Sequence, residues 1–232
     1  MTKKETLSEK CLKLRDGFSL VELAVVLVII GIIVAGVLKG RDLIENARLK
    51  RVISEVHEIQ VAMSSFLDKF EALPGDFKKA SLLIQSDLKD GNGDGIIGGD
   101  GLDTSSEAFA AWSHLAESHF YEKIDTKERT AEFGKGSPSS SVGGGFTIES
   151  NPKNLKGHWI ILGNKNGKHG DGGLLTPTQA FTLDQKMDDG KANSGRVRVM
   201  DGSDASSGDC VKPDGSFNLE NEGPVCVMYF QI

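Results

Sequence analysis

The sequence contains few cysteines and no surplus of positive charge, and both shortages exclude classes of protein. Three cysteines in 232 residues, with no Cys-x-x-Cys pair, exclude a disulfide-rich scaffold, a zinc ribbon and a thioredoxin-like redox site. The net charge of −6 argues against nucleic acid as the main partner, because phosphate binding requires clustered cations. Aromatic residues make up 6% of the chain whereas glycine reaches 28 residues, which predicts one modest core with long loops.

One long apolar run lies near the N-terminus. Residues 18–38 contain a single charge, Glu22, and as a helix they span about 30 Å, which matches the hydrocarbon core of a bilayer. A secretory signal peptide has a shorter apolar core before a small-residue cleavage site, and Val34-Ala35-Gly36 fits such a site poorly. We therefore predict a transmembrane helix. Basic residues flank both of its ends, so charge alone does not set its orientation.

The junction before this run has a distinct pattern. A charged leader ends in Gly17, the apolar run begins at Phe18, and Glu22 lies inside the predicted span. An unpaired carboxylate there costs roughly 2.5–3.5 kcal/mol on insertion scales, so a partner is expected. The segment Gly-Phe-Ser-Leu-Val-Glu at residues 17–22 resembles the class III signal of type IV pilins and type II secretion pseudopilins. The alternative is a plain membrane anchor whose Glu22 lies near the interface.

The resemblance implies a processing and assembly route. In that family a prepilin peptidase cleaves after the glycine, so residues 1–17 would be a leader removed at the Gly17–Phe18 bond, and Phe18 would usually be N-methylated. The ammonium of Phe18 in one subunit would then neutralise Glu22 of a neighbouring subunit. The implied partners are the peptidase, membrane lipid before assembly, an inner-membrane assembly platform, and identical or related pilin subunits. The implied location is the bacterial inner membrane, crossed once with the head outside the cytoplasm, and then an extracellular or periplasmic filament.

Helical periodicity continues beyond the apolar run. Residues 39–73 are predicted to form the amphipathic half of one long helix, which Pro74-Gly75 would end. Its apolar stripe, spaced by three and four residues, is Val52, Val56, Ile59, Met63, Phe66 and Phe70. Residues 74–232 would then form a globular head. The predicted strands of this head are Phe146–Ile148, His158–Leu162, Arg196–Met200 and Val225–Ile232. The resemblance to pilins implies an α+β fold, with the long N-terminal helix packed on a small antiparallel β-sheet.

Two capping boxes predict further helices in the head. Thr104 with Glu107 would begin one helix, and Thr176 with Gln179 would begin another. The second helix carries three acids, Asp184, Asp188 and Asp189, of which the last two lie where the helix dipole disfavours anions. We therefore expect a cation nearby, either Arg196 or Arg198 on the following strand or a bound Ca²⁺.

The cysteines that remain after removal of the leader are Cys210 and Cys226, since Cys11 leaves with it. An even pair in an exported chain predicts one disulfide. A disulfide-bounded C-terminal loop is also common in type IV pilins, which the chain resembles. The alternative is two buried free thiols.

A glycine-rich, acidic stretch at residues 90–103 resembles the start of an EF-hand loop. Asp90, Asn92 and Asp94 fit its first three ligand positions, and a glycine follows at the turn. The position of the closing bidentate acid is a glycine, but Asp100 and Asp103 lie close to it. The stretch therefore predicts either a calcium site formed by these five residues or a glycine-rich turn.

These observations favour a structural subunit of a type IV pilus-like filament. A type II secretion pseudopilin with a calcium-stabilised head is an alternative, because major pseudopilins characteristically bind Ca²⁺. A calcium-dependent adhesin at a filament tip is a further one. A membrane-tethered enzyme is the rival from another class, but no His-Glu-x-x-His, Gly-x-Ser-x-Gly or phosphate-loop pattern accompanies the histidines of the head, namely His114, His119, His158 and His169. We expect no catalytic activity.

Overall fold

The computed structural model describes residues 18–125 and 127–232. The predicted leader, including Gly17 at the expected cleavage site, lies outside the described residues. Two compact units divide the chain, one that ends at Glu45 and one from Asn46 to Ile232. Helix α1 runs from Leu20 to Phe70 and so contributes to both units.

The first unit is an apolar helical segment without a core of its own. Every Val, Leu and Ile side chain from Leu20 to Leu38 is at least 50% exposed. Among the described residues, α1 is the one helix long and apolar enough to cross a membrane, and none of its most apolar 18-residue stretch is buried. The predicted apolar span is therefore a helix whose apolar side chains are left exposed by the described residues.

The second half of α1 packs into the core of the second unit. The predicted stripe is confirmed, because Val52, Val56, Ile59, Met63 and Phe66 are all buried. Phe70 packs against the same core and is only partly buried. The helix ends at Phe70, earlier than the predicted end beside Pro74, because Glu71 adopts a left-handed conformation with φ of 53°.

Among the described residues, the head has three shorter α-helices: α2 at Ala80–Leu83, α3 at Glu107–Glu117 and α4 at Pro177–Met187. The capping box of Thr176 and Gln179 on α4 is confirmed. The predicted Thr104 cap of α3 is wrong, since Ser106 is the N-cap and its hydroxyl accepts a hydrogen bond from the amide of Phe109 at 2.9 Å. Glu107 does not close a box because its carboxylate binds amides of the glycine-rich loop, as described below.

The strands form one small pair and one four-stranded sheet. Strands β1 at Glu132–Phe133 and β2 at Gly136–Ser137 pair in parallel. The main strands are β3 at Gly145–Ser150, β4 at His158–Gly163, β5 at Val197–Asp201 and β6 at Cys226–Gln231. Their order is β3-β4-β6-β5, and all neighbours are antiparallel. Each of the four overlaps a predicted strand, so the expected α+β fold with a small antiparallel sheet is confirmed.

Both faces of this sheet are buried. One face presents Phe146, Ile160 and Phe230 to the core that contains the α1 stripe. The opposite face carries a smaller apolar cluster of Trp159, Ile161, Val227 and Tyr229, and the register places Thr147 and Glu149 beside it. A loop glycine presses directly on this second face, because a Cβ on Gly101 would lie 2.3 Å from the Thr147 side chain. Loops therefore cover the side of the sheet that α1 does not.

The C-terminal strand is held by the expected disulfide. Cys210 and Cys226 are bonded, with a Cα–Cα distance of 5.2 Å, and both are fully buried. The alternative of two free thiols is wrong for this structure. The bond ties the loop after β5 to the start of β6.

Candidate functional site

The first turn of α1 contains a capping box. Ser19 precedes the helix, and its hydroxyl accepts a hydrogen bond from the amide of Val21 at 3.3 Å. In return, the Glu22 carboxylate accepts one from the amide of Ser19 at 2.8 Å. Glu22 therefore has a local partner in the residue that precedes its helix. The sequence analysis missed this contact, although Ser-x-x-Glu is the usual signal for the motif.

The cap leaves Glu22 available for a second partner. A carboxylate offers about four lone-pair sites, so one amide hydrogen bond does not saturate it. Glu22 is exposed, it is surrounded by exposed apolar side chains, and Phe18 is 82% exposed. The predicted pairing of Glu22 with the Phe18 ammonium of another subunit is thus compatible with this geometry and stays a prediction.

The glycine-rich loop does not gather its five predicted calcium ligands. Asp90 accepts hydrogen bonds from the amide and hydroxyl of Ser81, each at 2.8 Å. Asp103 pairs with Lys168 at 2.7 Å, while Asp100 lies beside His169 with 3.7 Å between Oδ1 and Nδ1. Asn92 and Asp94 alone remain in contact with each other, at 3.0 Å. Asp90, Asp100 and Asp103 thus have separate partners in this structure, and calcium binding by the five residues stays a prediction.

The loop instead presents its backbone donors to two carboxylates, the buried one of Asp76 and the half-buried one of Glu107. The amides of Gly93, Asp94 and Gly95 all donate to Asp76, the last at 2.8 Å, and Asp76 is only 3% exposed. Successive amides of a glycine-rich turn form an anion-binding concavity, which explains why the loop encloses an acid. The Glu107 carboxylate binds two more loop amides in the same way. Asp76 lies outside the sequence motif, so the pattern alone did not identify it.

The acids at the end of α4 also use backbone donors. Asp188 accepts from the amides of Arg196 and Val197. Asp189 accepts from the amide of Lys191 at 3.0 Å and from the Ser194 hydroxyl at 2.6 Å. Of the cations expected nearby, the charge of Arg198 acts on Asp184. One carboxylate oxygen each of Asp184, Asp188 and Asp189 lies within 4.8 Å of the other two, and the alternative of a bound Ca²⁺ stays a prediction. Asp184 is fully buried, and burial together with the charges of Asp189 and Asp188 raises its pKa to about 7.

Comparison with known proteins places the N-terminal segment in a defined class. Residues 12–38 match the family model described as the prokaryotic N-terminal methylation motif. The chain carries this motif, so the resemblance to type IV pilins and pseudopilins is confirmed for the segment that contains Phe18 and Glu22.

Among solved structures, the chain is similar to the major type IV pilin PilA1 from Clostridium difficile. The identity is 15%, the match covers 81% of this chain and 95% of that chain, and the TM-score is 0.39. No curated protein matches this chain.

Proposed function

We propose that the chain is a structural subunit of a type IV pilus-like filament. In this proposal prepilin peptidase cleaves between Gly17 and Phe18, and the mature chain polymerises through the first half of α1. The observation that carries the proposal is the methylation motif at residues 12–38, joined to a helix whose apolar side chains the described part of the chain leaves exposed. An exposed apolar surface of this size requires lipid or protein around it.

The same surface accounts for two stages of the life of the subunit. Before assembly the segment from residue 18 to residue 38 crosses the bacterial inner membrane once, with the head outside the cytoplasm. After assembly, neighbouring helices replace the lipid around it. When two different surfaces of identical subunits bind each other, each subunit is rotated relative to the one before it. If these rotations do not close a ring, the subunits form an open helical filament. Glu22, whose charge is costly in apolar surroundings, sets the axial register by pairing with a neighbouring Phe18 ammonium.

Glu22 caps its own helix and is proposed to pair with the Phe18 ammonium of a neighbouring subunit. The test must separate these two roles. Glu22→Gln keeps an acceptor for the Ser19 amide, because glutamine serves in capping boxes, but it removes the charge. Ser19→Ala removes the hydroxyl that caps Val21 and keeps the carboxylate. We expect Glu22→Gln to reduce incorporation into sheared filaments sharply and Ser19→Ala to assemble at nearly the wild-type level. The reverse result would mean that Glu22 acts only as a cap.

Processing is measured on the same preparations. Mass spectrometry of the mature chain is expected to find its N-terminus at Phe18, about 14 Da heavier where that residue is methylated. Both Glu22→Gln and Ser19→Ala are expected to be processed normally, which shows that a loss of filaments arises after cleavage. An unprocessed chain that starts at Met1 would contradict the proposal.

A type II secretion pseudopilin shares the processing signal and the apolar helix. The disulfide between Cys210 and Cys226 favours the pilus subunit, because the resemblance associates a disulfide-bounded C-terminal loop with pilins. A filament recovered by shearing from the cell surface supports the pilus, whereas a filament confined to the periplasm supports the secretion machine. The proposed role requires no catalysis.

A further inference from the structure

A cluster of two acidic side chains and one histidine lies on the face of the sheet that α1 does not cover. It brings together Asp100 from the glycine-rich loop, Glu149 from β3 and His169 from the loop after β4. One donor atom of each lies within 4.8 Å of the other two. These residues come from three separate parts of the chain, and the clustering is therefore a product of the tertiary structure.

The donor atoms stand at separations typical of ligands on one metal ion. His169 Nδ1 lies 3.0 Å from Glu149 Oε1 and 3.7 Å from Asp100 Oδ1. Two donors bound tetrahedrally to Zn²⁺ at about 2.1 Å are roughly 3.4 Å apart, which falls between these values. A single ion therefore fits among the three groups with small side-chain movements.

Each segment that supplies a possible metal ligand is held in place by a hydrogen bond. The amide of Gly101 donates to Glu149 Oε1 at 2.9 Å, and Glu149 is only 6% exposed. The Thr147 hydroxyl donates to the carbonyl of His169 at 2.9 Å. Such contacts behind the ligands orient them and are typical of metal sites.

An independent observation comes from Tyr229, which lines the same cavity of about 400 Å³ as the three donors. Its side chain is fully buried, and its hydroxyl has no hydrogen-bond partner among the described residues. Burial and the nearby charges of Asp171 and Glu149 raise the pKa of this phenol. A buried hydroxyl without a hydrogen-bond partner is unfavourable, so we expect the cavity to supply one, such as a water bound to a metal ion.

Charge balance also favours a dication. Asp171 is committed elsewhere, because Lys153 and the Ser203 hydroxyl bind its two oxygens at 2.9 and 2.6 Å. Among the described residues, no lysine or arginine forms an ion pair with Asp100 or Glu149, whose partners are His169 and the amide of Gly101. A dication bound there meets two acidic side chains without competition from a lysine or an arginine.

We propose that Asp100, Glu149 and His169 bind one divalent transition-metal ion of the zinc type, with a water that hydrogen-bonds to Tyr229. The imidazole selects against Ca²⁺ and Mg²⁺, which prefer sets of oxygen ligands only. The ion joins the glycine-rich loop and the loop after β4 to the outer face of the sheet. Its role is structural, because it ties together segments that the disulfide does not reach.

The test uses the full chain without an affinity tag, stripped of metal with a chelator and kept in detergent. Zinc is titrated by calorimetry, and the melting temperature of the head is followed by the fluorescence of its two tryptophans. We expect one saturable zinc site, a higher melting temperature with zinc, and no competition from Ca²⁺ or Mg²⁺. Cobalt in place of zinc is expected to give visible absorption bands that excess zinc removes.

Variants assign the site. His169→Gln and Asp100→Asn change partly exposed side chains and are expected to abolish saturable binding while the metal-free melting temperature stays near that of the wild type. Tyr229→Phe is expected to weaken binding about tenfold, as for other residues behind a ligand. His119→Gln is the matched control, because His119 is an exposed histidine 3.3 Å from Glu122. The proposal is overturned if the wild type binds no zinc saturably, or if His169→Gln binds it as the wild type and His119→Gln do.

Discussion

Asp184 on α4 is expected to make the stability of the head depend on pH. The residue is fully buried, and neither of its carboxylate oxygens has a hydrogen-bond partner among the described residues. Burial and the neighbouring charges of Asp189 and Asp188 raise its pKa from 3.8 to about 7, while the charge of Arg198 lowers it in part. The protonated form is thus favoured in the folded head far more than in the unfolded chain.

The direction of the effect follows from proton counting. Between about pH 4 and pH 7 the folded state holds a proton on Asp184 that the unfolded state has released, so unfolding releases a proton. The contribution of this site to stability is therefore present below pH 4 and is lost as the pH rises to about 7. A shift of about 3 units corresponds to about 4 kcal/mol, at about 1.4 kcal/mol per unit.

Asp184→Asn isolates this contribution, because asparagine has a similar shape and does not titrate. Urea unfolding of the full chain in detergent, followed by tryptophan fluorescence, gives the free energy of unfolding for each variant at pH 5 and pH 8. Relative to the wild type, the variant is expected to gain about 3 kcal/mol between pH 5 and pH 8, the part of the shift that lies above pH 5. The comparison uses the difference in the free energy of unfolding between the variant and the wild type, in which the contribution of the histidines cancels because both proteins contain them.

Asp68→Asn is the control, since Asp68 is an exposed carboxylate on α1. Its free energy of unfolding relative to the wild type is expected to be the same at both pH values. If Asp184→Asn behaves like this control, Asp184 is ionised in the folded head and the reasoning about its burial is refuted.

Three further predictions concern the loops of the head. Replacing both Cys210 and Cys226 by serine is expected to lower the free energy of unfolding by about 3 kcal/mol, and a reducing agent is expected to have the same effect on the wild type but none on the variant. Asp76→Asn removes the charge that three loop amides bind, so we expect a loss of about 1–3 kcal/mol and faster proteolysis between residues 90 and 103; an unchanged cleavage pattern would contradict this role. If the loop binds calcium, the melting temperature is expected to be higher in millimolar Ca²⁺ than in chelator, and Asp94→Ala is expected to abolish the difference. Equal melting temperatures would contradict calcium binding and leave the hydrogen bonds to Asp76 as the contacts that order the loop.

Local patterns were sufficient for much of the fold. The apolar run, the stripe on α1, the capping box of α4 and the four strands each depend on residues a few positions apart, and the structure confirms all of them. The prepilin-type signal is also a contiguous pattern, which the methylation motif at residues 12–38 confirms. The sequence by itself thus determined the class of the N-terminal segment and the order of α1, α3, α4 and the four main strands, whereas α2, β1 and β2 were not predicted.

The partners of the polar side chains were decided only by the tertiary structure. The same acidic residue can bind a cation, a backbone amide or a lysine, and the choice depends on which distant segment lies beside it. Asp76 meets amides up to 19 residues away, Gly101 meets a carboxylate 48 residues away, and Asp103 meets a lysine 65 residues away. Such contacts form because the outer face of the sheet must be covered, and the loops that cover it bring Asp100, Glu149 and His169 together.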